Sequence, residues 1–125
     1  MEHEWLKAAA EDLLLIEEII HNPHLTAPAA FHAQQAIEKS LKGYLEHLKI
    51  PSKKTHKLQT LLDLCGIRLD EEEDELIQLL DKLYIDARYP GEFGLLPQGK
   101  PTTQEVATFY RLARRLHRLV KERIS

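Results

Sequence analysis

Cysteine is nearly absent from this chain, which has a single thiol, Cys65, in 125 residues. An internal disulfide is therefore impossible, and a solitary thiol is typical of proteins kept in a reducing compartment. Leucine and isoleucine lie on both sides of Cys65 in the sequence, and no histidine adjoins it. These neighbours favour a buried core thiol over a catalytic nucleophile. We expect a cytoplasmic protein.

Long apolar runs are missing as well. No segment approaches the roughly 18 uncharged apolar residues that a membrane-spanning helix requires. Acidic residues recur through the first 18 positions, which is unlike a secretory signal peptide. The sequence therefore predicts neither membrane insertion nor a membrane partner.

Motifs for cofactor chemistry are also lacking. The chain has no phosphate-binding glycine loop, no dinucleotide fingerprint and no nucleophile elbow. Glu18 and His21 have the Glu-x-x-His spacing of di-iron sites in helical bundles, but such sites need a second copy and two further carboxylates. We therefore expect no metal site and no cofactor.

The charges of the chain are grouped by sign. Charged residues make up 30% of the sequence and the net charge is −3, a balance that is ordinary for one globular domain over residues 1–125. Acids crowd the segment Asp70–Asp81, whereas bases recur over Lys39–Lys57 and dominate Arg111–Arg123. These groups are either solvated faces joined by ion pairs or local surfaces for phosphates, and the sequence leaves both open.

Apolar residues recur with the helical period in five segments that proline or glycine separates. The sequence therefore predicts an all-α fold, an up-down antiparallel helical bundle of about five helices. The predicted helices are His3–His21, Ala27–Lys49, His56–Leu64, Asp70 to Ala87 or Arg88, and one from just after Thr102 to Arg123. The candidate N-terminal caps are Thr26, Thr55, the pair Asp70 and Glu73, and the pair Thr102 and Glu105. Gly66 is placed to end the third helix.

The second predicted helix contains the most informative segment, Phe31–Leu45. Four polar side chains interrupt or flank its apolar stripe: Gln34, Gln35, Glu38 and Lys39. Polar groups beside a core cost stability unless they are hydrogen-bonded or paired. The chain either satisfies these groups internally or uses them to hold a ligand.

Two further places could hold a phosphate. His56 starts a short helix just after Lys53 and Lys54, where free backbone N–H groups suit an anion, or its imidazole fixes the entry of the chain into the helix. Arg88 and Tyr89 open a long segment rich in glycine and proline. An arginine beside aromatic rings can grip a phosphate while a base stacks, or it can tie the segment to acids of the bundle.

Arg111 and His117 on the last helix suggest a catalytic alternative. A metal-independent ribonuclease could use histidine as the base toward a ribose hydroxyl and arginine to stabilise the phosphorane. Six residues turn a helix through about 240°, so the two side chains do not share a face in one subunit. They could act together only across a dimer.

Three segments, in this order, resemble the HEPN domain family: FHAQQAIEKSLKGYL, THKLQTLL and LYIDARYPGE. The family comprises nucleotide-binding domains of prokaryotes and eukaryotes. The resemblance implies a helical bundle that is usually dimeric. Its fold is similar to that of the C-terminal helical domain of kanamycin nucleotidyltransferase, and that domain helps form a nucleotide site. It also implies a small nucleotidyltransferase encoded beside the gene. Many such pairs behave as toxin–antitoxin modules.

Several branches of the family are ribonucleases that use an arginine and a histidine a few residues apart, completed across the dimer. Arg88 is the counterpart of that arginine here, but residues 92–95 contain no histidine. Arg111 and His117 fit the spacing, although they lie well inside a helix rather than near its start. The resemblance therefore favours binding over catalysis.

We predict a nucleotide- or phosphate-binding site made of Gln35, Glu38, Lys39, Lys42, His56, Arg88 and Tyr89, with Asp12 paired to one of its bases. The expected function is a nucleotide- or RNA-phosphate-binding module that forms a homodimer and acts with a partner nucleotidyltransferase in a toxin–antitoxin-like system. Two alternatives stay open. One is an endoribonuclease toxin using Arg111 and His117 across a dimer, and the other is a plain homodimeric interaction protein whose polar groups on the second helix are buried and satisfied.

Overall fold

The computed structural model describes residues 2–52, 54–86 and 99–125, which form five helices. The helices are α1 (Glu2–Ile19), α2 (Thr26–Leu48), α3 (Leu58–Cys65), α4 (Glu71–Asp86) and α5 (Thr103–Ile124). The predicted all-α bundle is confirmed, and the helix ends lie close to those expected. Within these ranges, no helix has the length and apolar character needed to cross a membrane.

The central helix is α2, which packs against each of the other four. Its core-facing side carries the alanines Ala30, Ala33 and Ala36, all buried, and such small side chains let neighbouring helices approach closely. At Gly43, α1 comes close to α2. A Cβ atom there would lie 3.1 Å from Trp5 Cβ and 3.2 Å from the Glu2 carbonyl oxygen, so glycine is the residue that fits.

Cys65 lies in the core, as its sequence neighbours predict. The thiol is buried and its Sγ lies 3.6 Å from the Leu41 carbonyl oxygen. Burial raises the pKa of Cys65 to about 12, because the thiolate would lose its hydration. The side chain therefore stays protonated at neutral pH and is an inert part of the core.

Both predicted capping boxes are present. The Glu105 N–H donates to Thr102 Oγ1 at 3.0 Å and the Thr102 N–H donates to Glu105 Oε1 at 2.9 Å. At α4, the Glu73 N–H donates to Asp70 Oδ1 at 2.8 Å. Gly66 ends α3 with a positive φ of 68°, as expected of a residue at that position.

The cap predicted for α2 is wrong by one residue. The helix already includes Thr26, and Leu25 precedes it as the N-cap without a side-chain hydrogen bond. The Thr26 side chain is buried instead of folding back over the first N–H groups. Its hydroxyl has no hydrogen-bond partner in the part of the chain that the structure describes.

Candidate functional site

Glu38, on α2, is the centre of a buried polar cluster. Its side chain is 7% exposed, and its Oε2 lies 2.9 Å from Lys42 Nζ and 2.9 Å from His56 Nδ1. Gln34 Nε2 donates to the other carboxylate oxygen at 3.2 Å. An ionised carboxylate only accepts hydrogen bonds, so Nδ1 of His56 carries the proton.

Asp12, on α1, is the centre of a second cluster of the same composition. Its carboxylate lies 2.9 Å from His32 Nδ1 and 2.8 Å from Lys39 Nζ. The expected pairing of Asp12 with a base of the site is confirmed, and that base is Lys39. Each cluster thus joins one carboxylate of low exposure to one imidazole and one ammonium group.

Both clusters orient an imidazole by binding its Nδ1 atom. This leaves the Nε2 atoms of His32 and His56 without a hydrogen-bond partner among the described residues. The side chain of His56 is 47% exposed, so its Nε2 atom is within reach of a ligand. A carboxylate that fixes Nδ1 sets the tautomer and the direction of the ring, as in many catalytic and binding sites.

The two glutamines connect α2 to the chain that leads into α3. Gln34 is completely buried, and its Nε2 atom also donates to the His56 carbonyl oxygen at 3.3 Å. Gln35 Nε2 donates to Gln34 Oε1 at 2.6 Å. These bonds fix the position of His56 beside α2 and show how the polar side chains of this helix are satisfied.

Among the described residues, four rings form a continuous row between the two clusters, and we call it the ring row: His32, Phe31, Tyr84 and His56. The Phe31 and His32 centroids are 5.7 Å apart in an edge-on contact, and Phe31 stacks on Tyr84 at 6.2 Å. The Tyr84 and His56 centroids are 5.4 Å apart. His56 is exposed and the other three residues are partly buried, so the row presents an aromatic surface made by α2, α4 and the residues just before α3.

The N-terminus of α3 is occupied by Asp81 of α4. The Leu58 and Gln59 N–H groups donate to its two carboxylate oxygens at 2.8 and 3.3 Å. Burial raises the pKa of Asp81 and the nearby Glu38 charge adds to this effect, while the two backbone hydrogen bonds oppose it. The N–H groups of Leu58 and Gln59, at the helix start where a phosphate was predicted, are thus already bound to Asp81. His56 remains in the predicted site through its side chain alone.

Thr55 is not the N-cap of α3. The helix starts at Leu58, two residues later than expected, and Lys57 is its N-cap without a side-chain hydrogen bond. Thr55 Oγ1 accepts from the Lys57 N–H at 3.1 Å in the turn before the helix. The carboxylate from α4 replaces a local cap, because it can reach two N–H groups at once.

The predicted site residues fall into three groups. Glu38, Lys42 and His56 are in direct contact, and Gln35 joins them through Gln34. Lys39 belongs to the Asp12 cluster. Arg88 and Tyr89 lie outside the described residues.

Sequence reasoning assigned no role to Phe31, His32 or Asp81. Phe31 and His32 begin the informative segment Phe31–Leu45, but nothing in the sequence placed them beside Tyr84. Asp81 gave a clearer signal, because a lone acid four residues after the buried Ile77 lies on the buried face of a helix. A charge at such a position requires a partner, and here the partner is the end of another helix.

The two residues of the catalytic alternative have different neighbours. Arg111 is exposed, and its Nη2 donates to Thr108 Oγ1 at 3.3 Å on the same helix. His117 is half-buried, and its Nε2 lies 3.1 Å from the Leu6 carbonyl oxygen of α1. Nothing in the described part of one chain brings the two side chains together, which agrees with the helical geometry expected from their spacing.

Comparison with known proteins places the chain in a family. The sequence model of the HEPN domain matches residues 2–123. The chain belongs to the HEPN domain family. A crystal structure of an archaeal HEPN homologue superimposes with a TM-score of 0.76 at 25% sequence identity, covering 100% of this chain and 98% of that chain.

A second structural likeness is to the crystal structure of the protein TT1696 from Thermus thermophilus. It superimposes with a TM-score of 0.73 at 28% identity, covering 97% of this chain and 96% of that chain. None of the curated proteins compared with the chain matches it. The shared architecture therefore extends over nearly the whole of this HEPN domain.

Proposed function

We propose that this HEPN domain is a nucleotide- or RNA-phosphate-binding module whose ligand lies on the ring row. The observation that carries the proposal is the partly exposed ring row, lying between two imidazoles that buried carboxylates hold in place. Aromatic faces stack bases, and the ammonium groups beside them can donate to a phosphate. An imidazole whose Nδ1–H is held by a carboxylate donates to a phosphate from Nε2 only in the form that carries a proton on both ring nitrogens. The same place contains most of the predicted site residues that the structure describes.

The cations of the two clusters differ in how far a phosphate could reach them. Lys42 is 11% exposed and its charge is committed to Glu38, whereas Lys39 is 27% exposed. His56 is the most accessible of the group. We therefore assign one phosphate to His56 and a second to Lys39, at the two ends of the ring row, and we give Lys42 the role of holding Glu38 in position. Arg88 and Tyr89 follow Asp86 closely in the sequence and remain part of the proposed site.

Calorimetric titration with ATP and with a short single-stranded RNA tests the proposal. Replacing Tyr84 by leucine removes the middle of the ring row, and the loss of base stacking should weaken binding by about 1–3 kcal/mol, roughly fivefold or more. Tyr44→Leu is the matched control, because Tyr44 also stacks on a histidine, His47, but near the C-terminal end of α2. Its affinity should stay within about twofold of the parent.

Circular dichroism of both variants must first show an intact bundle. If neither ATP nor the RNA binds, or if Tyr44→Leu weakens binding as much as Tyr84→Leu, the proposed site is wrong.

We also propose that the protein forms a homodimer and acts with a nucleotidyltransferase in a toxin–antitoxin-like pair. Family membership and the resemblance to modules of this kind support that part of the proposal. The proposal predicts that a nucleotidyltransferase is encoded beside this gene, and that co-expression of the two, followed by size-exclusion chromatography with light scattering, gives a single complex containing both chains. Separate elution of the two proteins at micromolar concentration would contradict the partnership.

A second candidate function has one specific observation in its favour. Glu38 and Gln35 are hydrogen-bonded within the chain, as a plain homodimeric interaction protein would require. In that case the two polar clusters have a structural role alone: they hold α1 and the residues just before α3 against α2. Absence of nucleotide binding together with a stable dimer would favour this function over the first.

A further inference from the structure

A groove runs between α1 and α5 on a surface that the proposed nucleotide site does not use. The two helices are antiparallel, since His117 contacts Leu6 while the Tyr110 hydroxyl donates to Glu17. We call this hollow the α1–α5 groove; it has a volume of about 350 Å³ and is lined by Leu6, Lys7, Ala10, His117, Lys121 and Ile124. A second hollow of about 370 Å³ continues it along α5, past Arg114 and Arg118.

The floor of the α1–α5 groove is apolar. Leu6, Ala10 and Ile124 supply most of it, and Leu14, one turn beyond Ala10 on α1, is 61% exposed. His117 lies in the floor, where burial lowers its pKa below the ordinary 6.5, although the hydrogen bond to the Leu6 carbonyl opposes this effect. The imidazole is therefore neutral at pH 7 and adds no charge to the floor.

Among the described residues, the rim of the two hollows carries four cations and one acid, Glu122. Lys7, Arg114, Arg118 and Lys121 are all exposed, and none of them makes a hydrogen bond or an ion pair within the described residues. The three on α5 follow the i, i+4, i+7 spacing of one helix face. Other bases of α5 are engaged elsewhere: Arg115 pairs with Glu73, and Arg123 lies over the Tyr44 ring.

We infer that the α1–α5 groove docks an acidic amphipathic helix of a partner protein. An amphipathic helix lays its apolar side chains into a groove of this kind, at i, i+3, i+4 and i+7. Its acidic flanks would meet the four rim cations, which outnumber Glu122 and make no ion pair in the described part of the chain. Charge complementarity of this kind selects partners and speeds association.

Nucleic acid fits this surface less well. The only rings among the described residues that line the two hollows are the imidazoles of His3 and His117, and His117 is already bonded to the Leu6 carbonyl oxygen, so a base finds less on which to stack than at the ring row. The inference does not depend on the proposed nucleotide site, which lies on α2, α4 and the residues just before α3.

Fluorescence anisotropy with a synthetic peptide tests the inference on the intact chain. The probe is a labelled helical peptide of about 18 residues, with leucine along one face and glutamate on its flanks. It should bind the parent protein, and the double variant Arg114→Glu, Arg118→Glu should weaken binding by roughly tenfold or more. Arg68→Glu, Lys82→Glu is the matched control, because it changes the net charge equally at exposed positions elsewhere.

Three results would overturn the inference. The first is no binding of the peptide, or equal binding of a version with lysine in place of glutamate. The second is tighter binding of a single-stranded RNA than of the peptide with the same dependence on Arg114 and Arg118, which would make the surface a polyanion site. The third is a dimer of the parent protein that the double variant dissociates, which would make the occupant a second copy of the chain.

Discussion

Glu38 is the residue on which the candidate site depends most. Its carboxylate has little exposure and binds Lys42, His56 and Gln34 at once. Removal of one partner from a buried ion pair leaves the other charge desolvated and uncompensated, which costs far more than the pair contributes when both are present. The cluster is therefore expected to respond as a unit.

A double-mutant cycle measures this coupling. Lys42→Met and Glu38→Gln should each lower the free energy of unfolding by roughly 3 kcal/mol, and together by less than the sum, with a coupling of about 1–3 kcal/mol. Urea unfolding followed by circular dichroism gives the four values. Arg115→Met is the matched control, since Arg115 is in an exposed pair and should cost less than about 1 kcal/mol. Strictly additive losses at Glu38 and Lys42 would show that the contact is not a coupled pair.

At the scale of the element, α3 shows how one helix supports another. This short helix has no side-chain cap of its own, and Asp81 from α4 binds its first N–H groups. The connection places His56, shortly before α3, against both α2 and α4. The geometry of the ring row therefore depends on a cap supplied by a different helix.

Loss of this cap should destabilise α3 measurably. Asp81→Ala is expected to lower the free energy of unfolding by about 1–2 kcal/mol, and Asp81→Asn by less, because an amide oxygen still accepts a hydrogen bond. Hydrogen exchange at Leu58 and Gln59 should accelerate in the alanine variant. Asp63→Ala, at an exposed position of the same helix, should change stability by no more than about 0.5 kcal/mol. Equal effects of the two alanine variants would contradict the capping role.

Local signals predicted the elements better than the contacts between them. The capping boxes at Asp70 and Thr102 were predictable because both partners lie within four residues of each other in the sequence. The cap from Asp81 was not, because it joins residues more than twenty positions apart. The error at Thr26 has the same origin, since burial in the bundle decided how its side chain is used.

At the scale of the whole molecule, the fold followed from periodicity and the candidate site followed only in part. Helical spacing and breakers predicted five helices in a bundle, and the pairing of Asp12 with a base was expected from α1. The sequence could not place Phe31 beside Tyr84, or show which bases each carboxylate binds. Those facts depend on how α2 and α4 cross, which the apolar pattern of either helix does not specify.

The two surfaces of the molecule carry different expectations. The ring row joins aromatic faces to oriented imidazoles, whereas the α1–α5 groove joins an apolar floor to cations that make no ion pair among the described residues. We therefore expect a small nucleotide on the first surface and an acidic helix on the second. Binding at one surface should leave the other accessible, because they are built from different faces of the bundle.

The most direct measurement is an amide NMR titration of the ¹⁵N-labelled protein with ATP. Chemical-shift changes should be largest at Phe31, His32, His56 and Tyr84, and they should need roughly fivefold or more ATP in Tyr84→Leu but not in Tyr44→Leu. Changes confined to α5, or none at millimolar ATP, would contradict nucleotide binding on the ring row.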